Sequence, residues 1–183
     1  SSYAWDNGVI NGASFSPSLG ATTYILTGTD GNGCLSTDEV EVIVNSLPEV
    51  NAGADQTICD GETVSLSGSG ASSYAWDNGV INGASFSPSF GTTTYTLTGT
   101  DGNGCVSNDA VDVTMYSNPE VSFTLTQDSL CFSSDSLELF GLPLGGDFSG
   151  NGVNNNWFHP SAAGLGGHNL TYSYTDSLTN CVG

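Results

Sequence analysis

The sequence contains no lysine and no arginine, although it has 19 aspartate and glutamate residues among 183, and its formal net charge at pH 7 is −19. Nucleic acids and anionic lipids are bound through cationic side chains that neutralise phosphate. The missing cations therefore exclude both as partners. The acidity itself favours solubility and repulsion between copies, and some of the carboxylates are candidate ligands for a hard cation such as calcium.

Long apolar runs are also missing. No stretch reaches the roughly 20 apolar residues that a membrane-spanning helix needs, so we expect no membrane insertion. No segment keeps a helical period over a useful length, whereas period-two alternation is frequent. These absences favour an all-β chain.

Catalytic groups are scarce. The only histidines are His159 and His168, neither of which stands beside a nucleophile in a motif, and there is no lysine for Schiff-base or general-base chemistry. The glycine-rich stretches at 145–153 and 162–167 lack the lysine and the following helix of a phosphate-binding loop. We therefore expect no enzymatic activity.

One stretch occurs twice. Residues 2–18 occur again, unchanged, as residues 73–89. Residues 27–34 likewise occur again as residues 98–105. A period of about seventy residues is longer than a solenoid repeat and suits one small β-domain. The chain is therefore predicted to be an array of tandem domains.

The alternating segments predict the strands of a β-sandwich. Residues 62–66, 95–99 and 111–115 place apolar side chains on one face, and Asp-Asn-Gly at 77–79 supplies a tight turn. Short strands separated by turns every eight to twelve residues are typical of this architecture. We expect Trp76 to lie at the centre of the core.

The repeat predicts three domains. Residues 1–46 are read as the C-terminal part of the first repeat, residues 47–117 as a complete second repeat, and residues 118–183 as a diverged third repeat that lacks its last strand. The linkers at Pro48 and Pro119 are short and contain no Gly/Ser-rich spacer. We therefore expect stiffly coupled domains in an extended array.

The second repeat resembles a known class of domain. Its segments 51–66, 74–76 and 95–105 are similar to the PKD-like and immunoglobulin-like repeats of giant surface proteins in Bacteroidetes, and residues 150–153, 158–164 and 172–176 of the third repeat resemble a sister type. The resemblance implies immunoglobulin-like β-sandwiches in an exported, cell-surface or extracellular chain. It also implies delivery by the type IX system and a relation to gliding adhesins.

The five cysteines occupy matching places in the repeats, which suggests disulfides and an oxidising compartment. An early cysteine stands at Cys59 and at Cys131, and a late one at Cys34, Cys105 and Cys181. Two pairings are open. Bonds within a repeat would join Cys59 to Cys105 and Cys131 to Cys181, whereas a bond between neighbouring repeats would join Cys59 to Cys181.

Two further kinds of site are suggested by short patterns. Asp30 with Asn32, and Asp101 with Asn103 and Asp109, resemble the first ligands of a calcium loop, although the closing glutamate is missing, so a hairpin turn is the competing interpretation. Asp-Ser-Leu matches the O-glycosylation acceptor motif of the lineage that the chain resembles. The attachment points implied are Ser129, Ser136 and Ser177.

We expect a structural segment of an extracellular filament or adhesin shaft, which spaces and supports a distal adhesive tip. Its partners would be neighbouring repeats of the same chain, other filament chains or surface glycans. One alternative is a carbohydrate-binding or spacer module of a secreted hydrolase, for which Trp157 and Phe158 are the candidate aromatic pair. Another is a filament subunit that assembles laterally.

Overall fold

The computed structural model describes every residue from Ser1 to Gly183. The chain is nearly all β, with 42% of its residues in strands and bridges and 2% in helix. Its elements are β1 (Ser2–Trp5), β2 (Gly20–Thr29), β3 (Leu35–Val44), β4 (Gln56–Cys59), β5 (Val64–Ser65), β6 (Ser73–Trp76), β7 (Ser85–Phe86), β8 (Gly91–Thr100), β9 (Val106–Tyr116), β10 (Ser122–Phe123), β11 (Leu137–Glu138), β12 (Gly141–Leu142), β13 (Asp147–Ser149), β14 (Val153–Asn154), β15 (Trp157–Phe158), α1 (Pro160–Ala163) and β16 (Thr171–Ser173).

The chain divides into two compact units. One unit comprises Ser1–Ala52, Ser67–Asn82 and Thr96–Asp109, and the other comprises Gly53–Leu66, Gly83–Tyr95 and Ala110–Gly183. The boundaries of the three sequence repeats stay a prediction, and the terms first, second and third repeat are used below for residues 1–46, 47–117 and 118–183.

The first repeat forms one antiparallel sheet in the order β1-β2-β3. Ten residue pairs join β2 to β3, from Gly20 opposite Val44 to Thr29 opposite Leu35. Tyr24 is the one large buried side chain of this sheet, and Phe15 packs on it edge to face with ring centroids 5.0 Å apart. Most of its other apolar side chains are partly or fully exposed.

The second repeat contains two sheets. One has the order β4-β9-β8-β6, and the other pairs β5 with β7. The pairing of β6 with β8 is antiparallel, whereas β4 runs parallel to the end of β9. The turn after β6 is made as the sequence predicts, because Asn78 and Gly79 both have positive φ angles, of 52° and 75°.

The core of the second repeat consists of the predicted alternating side chains. Leu66, Leu97 and Val113 are fully buried, and their neighbours Val64, Tyr95, Val111 and Met115 are at most 5% exposed. A parallel first strand, an antiparallel sheet and a small facing sheet over one apolar core make an immunoglobulin-like β-sandwich. The predicted all-β fold class is confirmed.

The prediction that Trp76 lies at the core centre was wrong. Trp76 is only half-buried, and its indole Nε1 donates a hydrogen bond to Asn82 Oδ1 over 3.0 Å. The same oxygen accepts the backbone N–H of Gly68 over 2.8 Å. A buried indole N–H needs a hydrogen-bond acceptor. For Trp76, which lies on the edge strand β6, that acceptor is Asn82, and the hydrogen bond keeps the indole ring at the edge of the sheet rather than in the core.

The third repeat builds a smaller sandwich from short pairs. β10 pairs with β12, β13 pairs with β16, and β15 lies between β11 and β14. Its core is a cluster of five buried side chains, which are Leu139, Phe148, Phe158, Ala163 and Tyr172. The Tyr172 hydroxyl donates to the carbonyl of Pro143 and accepts the N–H of Gly146. The polar side-chain atom of this apolar cluster therefore has hydrogen-bond partners.

Candidate functional site at the repeat junction

Cys59 is placed where the second repeat meets its linker to the third. It ends β4, and its partner in the parallel register is Tyr116, the last residue of β9. The next residue continues the contact, because the N–H of Asp60 donates to the carbonyl of Tyr116 over 2.8 Å. Asn118, which lies in the linker, donates from Nδ2 to the carbonyl of Asp60 over 3.3 Å.

Cys59 forms a disulfide with Cys181 of the third repeat, and the two Cα atoms are 5.5 Å apart. Cys181 is completely buried. Its backbone is fixed by a turn in which Asp176 N–H donates to the Cys181 carbonyl over 2.9 Å and Thr179 Oγ1 accepts the Cys181 N–H over 3.3 Å. The bond thus connects two ordered turns that belong to successive repeats.

The pairing within a repeat is not formed. Cys105 precedes Val106, the first residue of β9, whereas Cys59 lies opposite the last residue of that eleven-residue strand. Because a strand rises about 3.3 Å per residue, the eleven steps from Cys105 to Tyr116 span roughly 35 Å, far beyond the approximately 7 Å that a disulfide allows between Cα atoms. Cys105 therefore cannot bond to Cys59.

The other cysteines are free thiols. Cys131 does not pair with Cys181, because Cys181 is already bonded to Cys59. Cys34 and Cys131 are exposed, and Cys105 is half-buried. Of the two pairings that the sequence left open, the structure contains the one between neighbouring repeats.

Each late cysteine closes a turn that an aspartate organises. Asp30 Oδ1 accepts the N–H groups of Asn32 and Cys34, each over 2.8 Å, and Asp101 Oδ1 accepts those of Asn103 and Cys105 over the same distances. The amides of Cys34 and Asn32 hold the pKa of the Asp30 carboxyl below its ordinary value.

In the third repeat Asp176 has the same role. Its Oδ1 accepts the N–H groups of Leu178 and Thr179, each over 2.9 Å. The amide of Thr179, followed by that of Leu178, lowers the pKa of the Asp176 carboxyl. A carboxylate used in this way stabilises the hairpin turn, as the competing interpretation of the Asp-Gly-Asn pattern expects.

The residues suggested as calcium ligands do not converge. Asn32 and Asn103 each donate a backbone N–H to the aspartate of their turn, so these aspartates already accept hydrogen bonds from the turn itself. Asp109 Oδ2 accepts the N–H of Ala52 over 2.8 Å. No group of three or more His, Cys, Asp or Glu side chains is arranged to hold a metal ion.

The three serines of the Asp-Ser-Leu pattern differ in accessibility. Ser129 and Ser177 are exposed. Ser136 is half-buried, and its Oγ shares a hydrogen bond with His159 Nδ1 over 2.6 Å. Ser129 and Ser177 are therefore the sterically accessible members, and glycosylation at any of the three stays a prediction.

The contact between Ser136 and His159 was missed by sequence reasoning, because the residues are 23 positions apart. Folding brings them together when β11 pairs with β15, which His159 follows directly. His168 instead donates from Nε2 to the carbonyl of Gly164 over 3.1 Å.

The aromatic pair proposed for sugar binding is split by the sheet. Phe158 is buried in the core of the third repeat, whereas Trp157, on the opposite face of β15, is 40% exposed. Successive residues of a strand point to opposite faces, so the two rings cannot form one stacking platform. A single half-exposed indole remains.

The third repeat also has an open groove of about 400 Å³. Its lining comes from residues 127–130 with Phe132, from Leu137 and Phe158, and from residues 164–168 with Leu170. The lining thus includes Leu130 and Phe132, the two neighbours of Cys131 in the chain, and Leu170, which immediately precedes β16.

No helix of the structure is long and apolar enough to cross a membrane. No family model and no curated protein matches the chain. Among solved structures, extracellular cadherin domains 1–4 of protocadherin gamma B7 match it with 15% sequence identity and a TM-score of 0.30. The match covers 75% of this chain and 47% of that one, which is less than half of the cadherin fragment.

Proposed function

We propose that this chain is a structural segment of an extracellular filament or cell-surface adhesin shaft, and that it spaces and supports a distal adhesive tip. The observation that carries the proposal is the bond between Cys59 and Cys181, because it joins successive repeats rather than closing one of them. A spacer with independent domains needs no such bond. A shaft under tension gains a second covalent connection at the junction.

The bond changes how force passes along the chain. Tension applied at the two ends reaches Cys59 through the backbone and then divides between the peptide chain and the disulfide. The 122-residue span between the bonded cysteines cannot extend while the bond is intact. The linker at Pro119, the core of the third repeat and part of the second repeat are therefore shielded from unfolding by force.

The composition agrees with an extracellular location. Disulfides persist in oxidising compartments such as the cell exterior. The chain has no lysine or arginine and a net charge of −19, which keeps parallel shafts apart and soluble. Export by the type IX system and attachment to a Bacteroidetes cell surface belong to this proposal.

Single-molecule force spectroscopy tests the proposal. The chain is held at Ser1 and Gly183 and extended in oxidising buffer and again after reduction. A span of 122 residues corresponds to roughly 400 Å of extended chain. We expect this length to be absent from the oxidised traces and to appear after reduction, while a Cys34→Ser variant behaves like the wild type. Equal contour lengths in both buffers would contradict a shielding role.

A further inference from the structure

Several asparagines of the chain are followed directly by glycine, and they are Asn7, Asn11, Asn32, Asn78, Asn82, Asn103 and Asn151. In this dipeptide the backbone nitrogen of the glycine can attack the side-chain carbonyl of the asparagine, because glycine has no Cβ to block the approach. Asparagine is accordingly one of the thermolabile residues of proteins. The attack needs a glycine N–H that no hydrogen bond holds and a side-chain amide that is free to turn.

The second repeat holds both reacting groups of its pair Asn82 and Gly83. Asn82 Oδ1 accepts the indole N–H of Trp76 over 3.0 Å and the backbone N–H of Gly68 over 2.8 Å. The N–H of Gly83 donates to the carbonyl of Leu66 over 2.8 Å. The fold therefore fixes the amide and occupies the nitrogen that would attack it.

The identical pair in the first repeat, Asn11 and Gly12, lacks these contacts. Asn11 Oδ1 accepts only the indole N–H of Trp5, over 3.4 Å, which is longer than an ordinary N–H···O bond. The N–H of Gly12 makes no hydrogen bond, and a Cβ placed on Gly12 would meet no atom within 4 Å. Since Asn11 and Asn82 are both exposed, hydrogen bonding rather than access separates the two pairs.

The other five asparagine–glycine pairs are each held at one of the two groups. In two of them the glycine N–H donates to a carbonyl of its own turn over 3.2 Å, namely in Gly33 and Gly104. In the remaining three the side-chain amide donates a hydrogen bond, namely in Asn7, Asn78 and Asn151. Asn11 is thus the pair member that combines an amide with no donated bond and a following N–H with no acceptor.

We propose that Asn11 is a site of spontaneous deamidation and isoaspartate formation, and that the fold protects Asn82, which has the same sequence around it. The inference does not rest on the proposed function, because it needs only the hydrogen bonds of the two asparagines and of the glycines that follow them.

The reaction needs water and a solvent base as its only co-reactants. The base takes the proton of the Gly12 N–H, and the nitrogen attacks Asn11 Cγ. A C–N bond forms, the Cγ–Nδ2 bond breaks, and ammonia leaves a cyclic imide. Water then opens the ring at one of its two carbonyls. Breaking the new C–N bond gives aspartate, whereas breaking the original peptide bond gives isoaspartate.

The product alters the segment that joins β1 to β2. Each event adds a negative charge to a chain whose formal net charge is already −19. Isoaspartate also lengthens the main chain by one methylene group between β1 and Phe15, the residue whose ring packs on Tyr24. We therefore expect the modification to act on the first repeat.

Isoaspartate counting on the folded 183-residue chain tests the proposal. The oxidised chain is kept at mildly alkaline pH, and isoaspartate is measured over time by enzymatic methylation together with the mass of the intact chain. We expect Asn11 to react at least about tenfold faster than Asn82, the factor that corresponds to one hydrogen bond. Asn11→Gln should remove most of the early isoaspartate, because glutamine cyclises far more slowly. The matched control Asn82→Gln should leave it unchanged.

The same variants in concentrated urea show whether the fold is the cause. Residues 2–18 and 73–89 are identical, so the two asparagines should react equally once the chain is unfolded, and each substitution should then remove an equal share of the isoaspartate. Equal losses from the two variants in the folded chain, or no isoaspartate in the folded wild type, would overturn the proposal. A difference that persisted in urea would overturn it as well.

Discussion

Cys59 lies directly opposite Tyr116 in the parallel pairing of β4 with β9. This pairing places the first cysteine of the second repeat at the end of its last strand, where the linker to the third repeat begins. The disulfide to Cys181 follows from that position, because the linker brings the third repeat to the same end. A bond to Cys105 is excluded by the length of β9.

Removing the disulfide should lower the stability of the residues it encloses. For a closed loop of 122 residues the loss of loop-closure entropy predicts a decrease of roughly 5 kcal/mol in the free energy of unfolding for Cys59→Ser. Urea unfolding of the oxidised chain measures it. Cys34→Ser is the matched control, since Cys34 is exposed and unbonded, and it should change stability by less than about 0.5 kcal/mol. Equal effects of the two substitutions would refute the assignment.

The near-identical repeats offer a matched pair of core substitutions. Leu97 and Leu26 occupy equivalent places, opposite Trp76 and Trp5, but Leu97 is fully buried and Leu26 only half-buried. We expect Leu97→Ala to cost about 2–5 kcal/mol and Leu26→Ala clearly less. Native-state hydrogen exchange of β8 and β2 amides measures each change locally. A larger loss for Leu26→Ala would contradict the burial difference.

Acid should weaken the late-cysteine turns. Backbone N–H groups lower the pKa values of Asp30 and Asp176 in the folded chain, so both carboxylates stabilise it above their unfolded pKa near 4. That contribution is lost as the pH falls through the lowered folded pKa values. We expect the Tm to fall with pH below about 4, and the double variant Asp30→Asn with Asp176→Asn to show a shallower fall. An unchanged pH profile in the variant would count against the turns as its source.

Calcium should leave the stability of the chain unchanged. Asp101 Oδ1 accepts two backbone N–H groups of its own turn, whereas Asp109 Oδ2 accepts the N–H of Ala52, so the two carboxylates bind different segments of the backbone. We expect the same Tm with millimolar calcium and with a chelator. A calcium-dependent rise in Tm that Asp101→Ala abolishes would restore the metal-binding interpretation.

Much of the fold could be predicted because alternation reports burial directly. Val64 with Leu66, and Val111 with Val113, are buried as their period-two spacing predicts. Trp76 was misplaced because its hydrophobic area was considered without the hydrogen bond that its indole N–H makes to Asn82. Size alone does not locate a side chain that carries a polar atom.

The candidate site could be predicted only in part. The spacing of the cysteines indicated disulfides but left the pairing open, because the choice depends on which end of β9 each cysteine occupies. That information lies in the parallel register of Cys59 with Tyr116, which joins residues 57 positions apart. The contact of Ser136 with His159 was missed for the same reason, since it arises only when β11 and β15 pair.

The central claim is that successive repeats are joined covalently, and disulfide mapping tests it most directly. The oxidised chain is digested with pepsin, because trypsin finds no lysine or arginine to cut after, and the peptides are analysed by mass spectrometry before and after reduction. The account predicts one linked pair that contains Cys59 and Cys181, with Cys34, Cys105 and Cys131 recovered as thiols. A linked pair that contains Cys59 and Cys105 would contradict it.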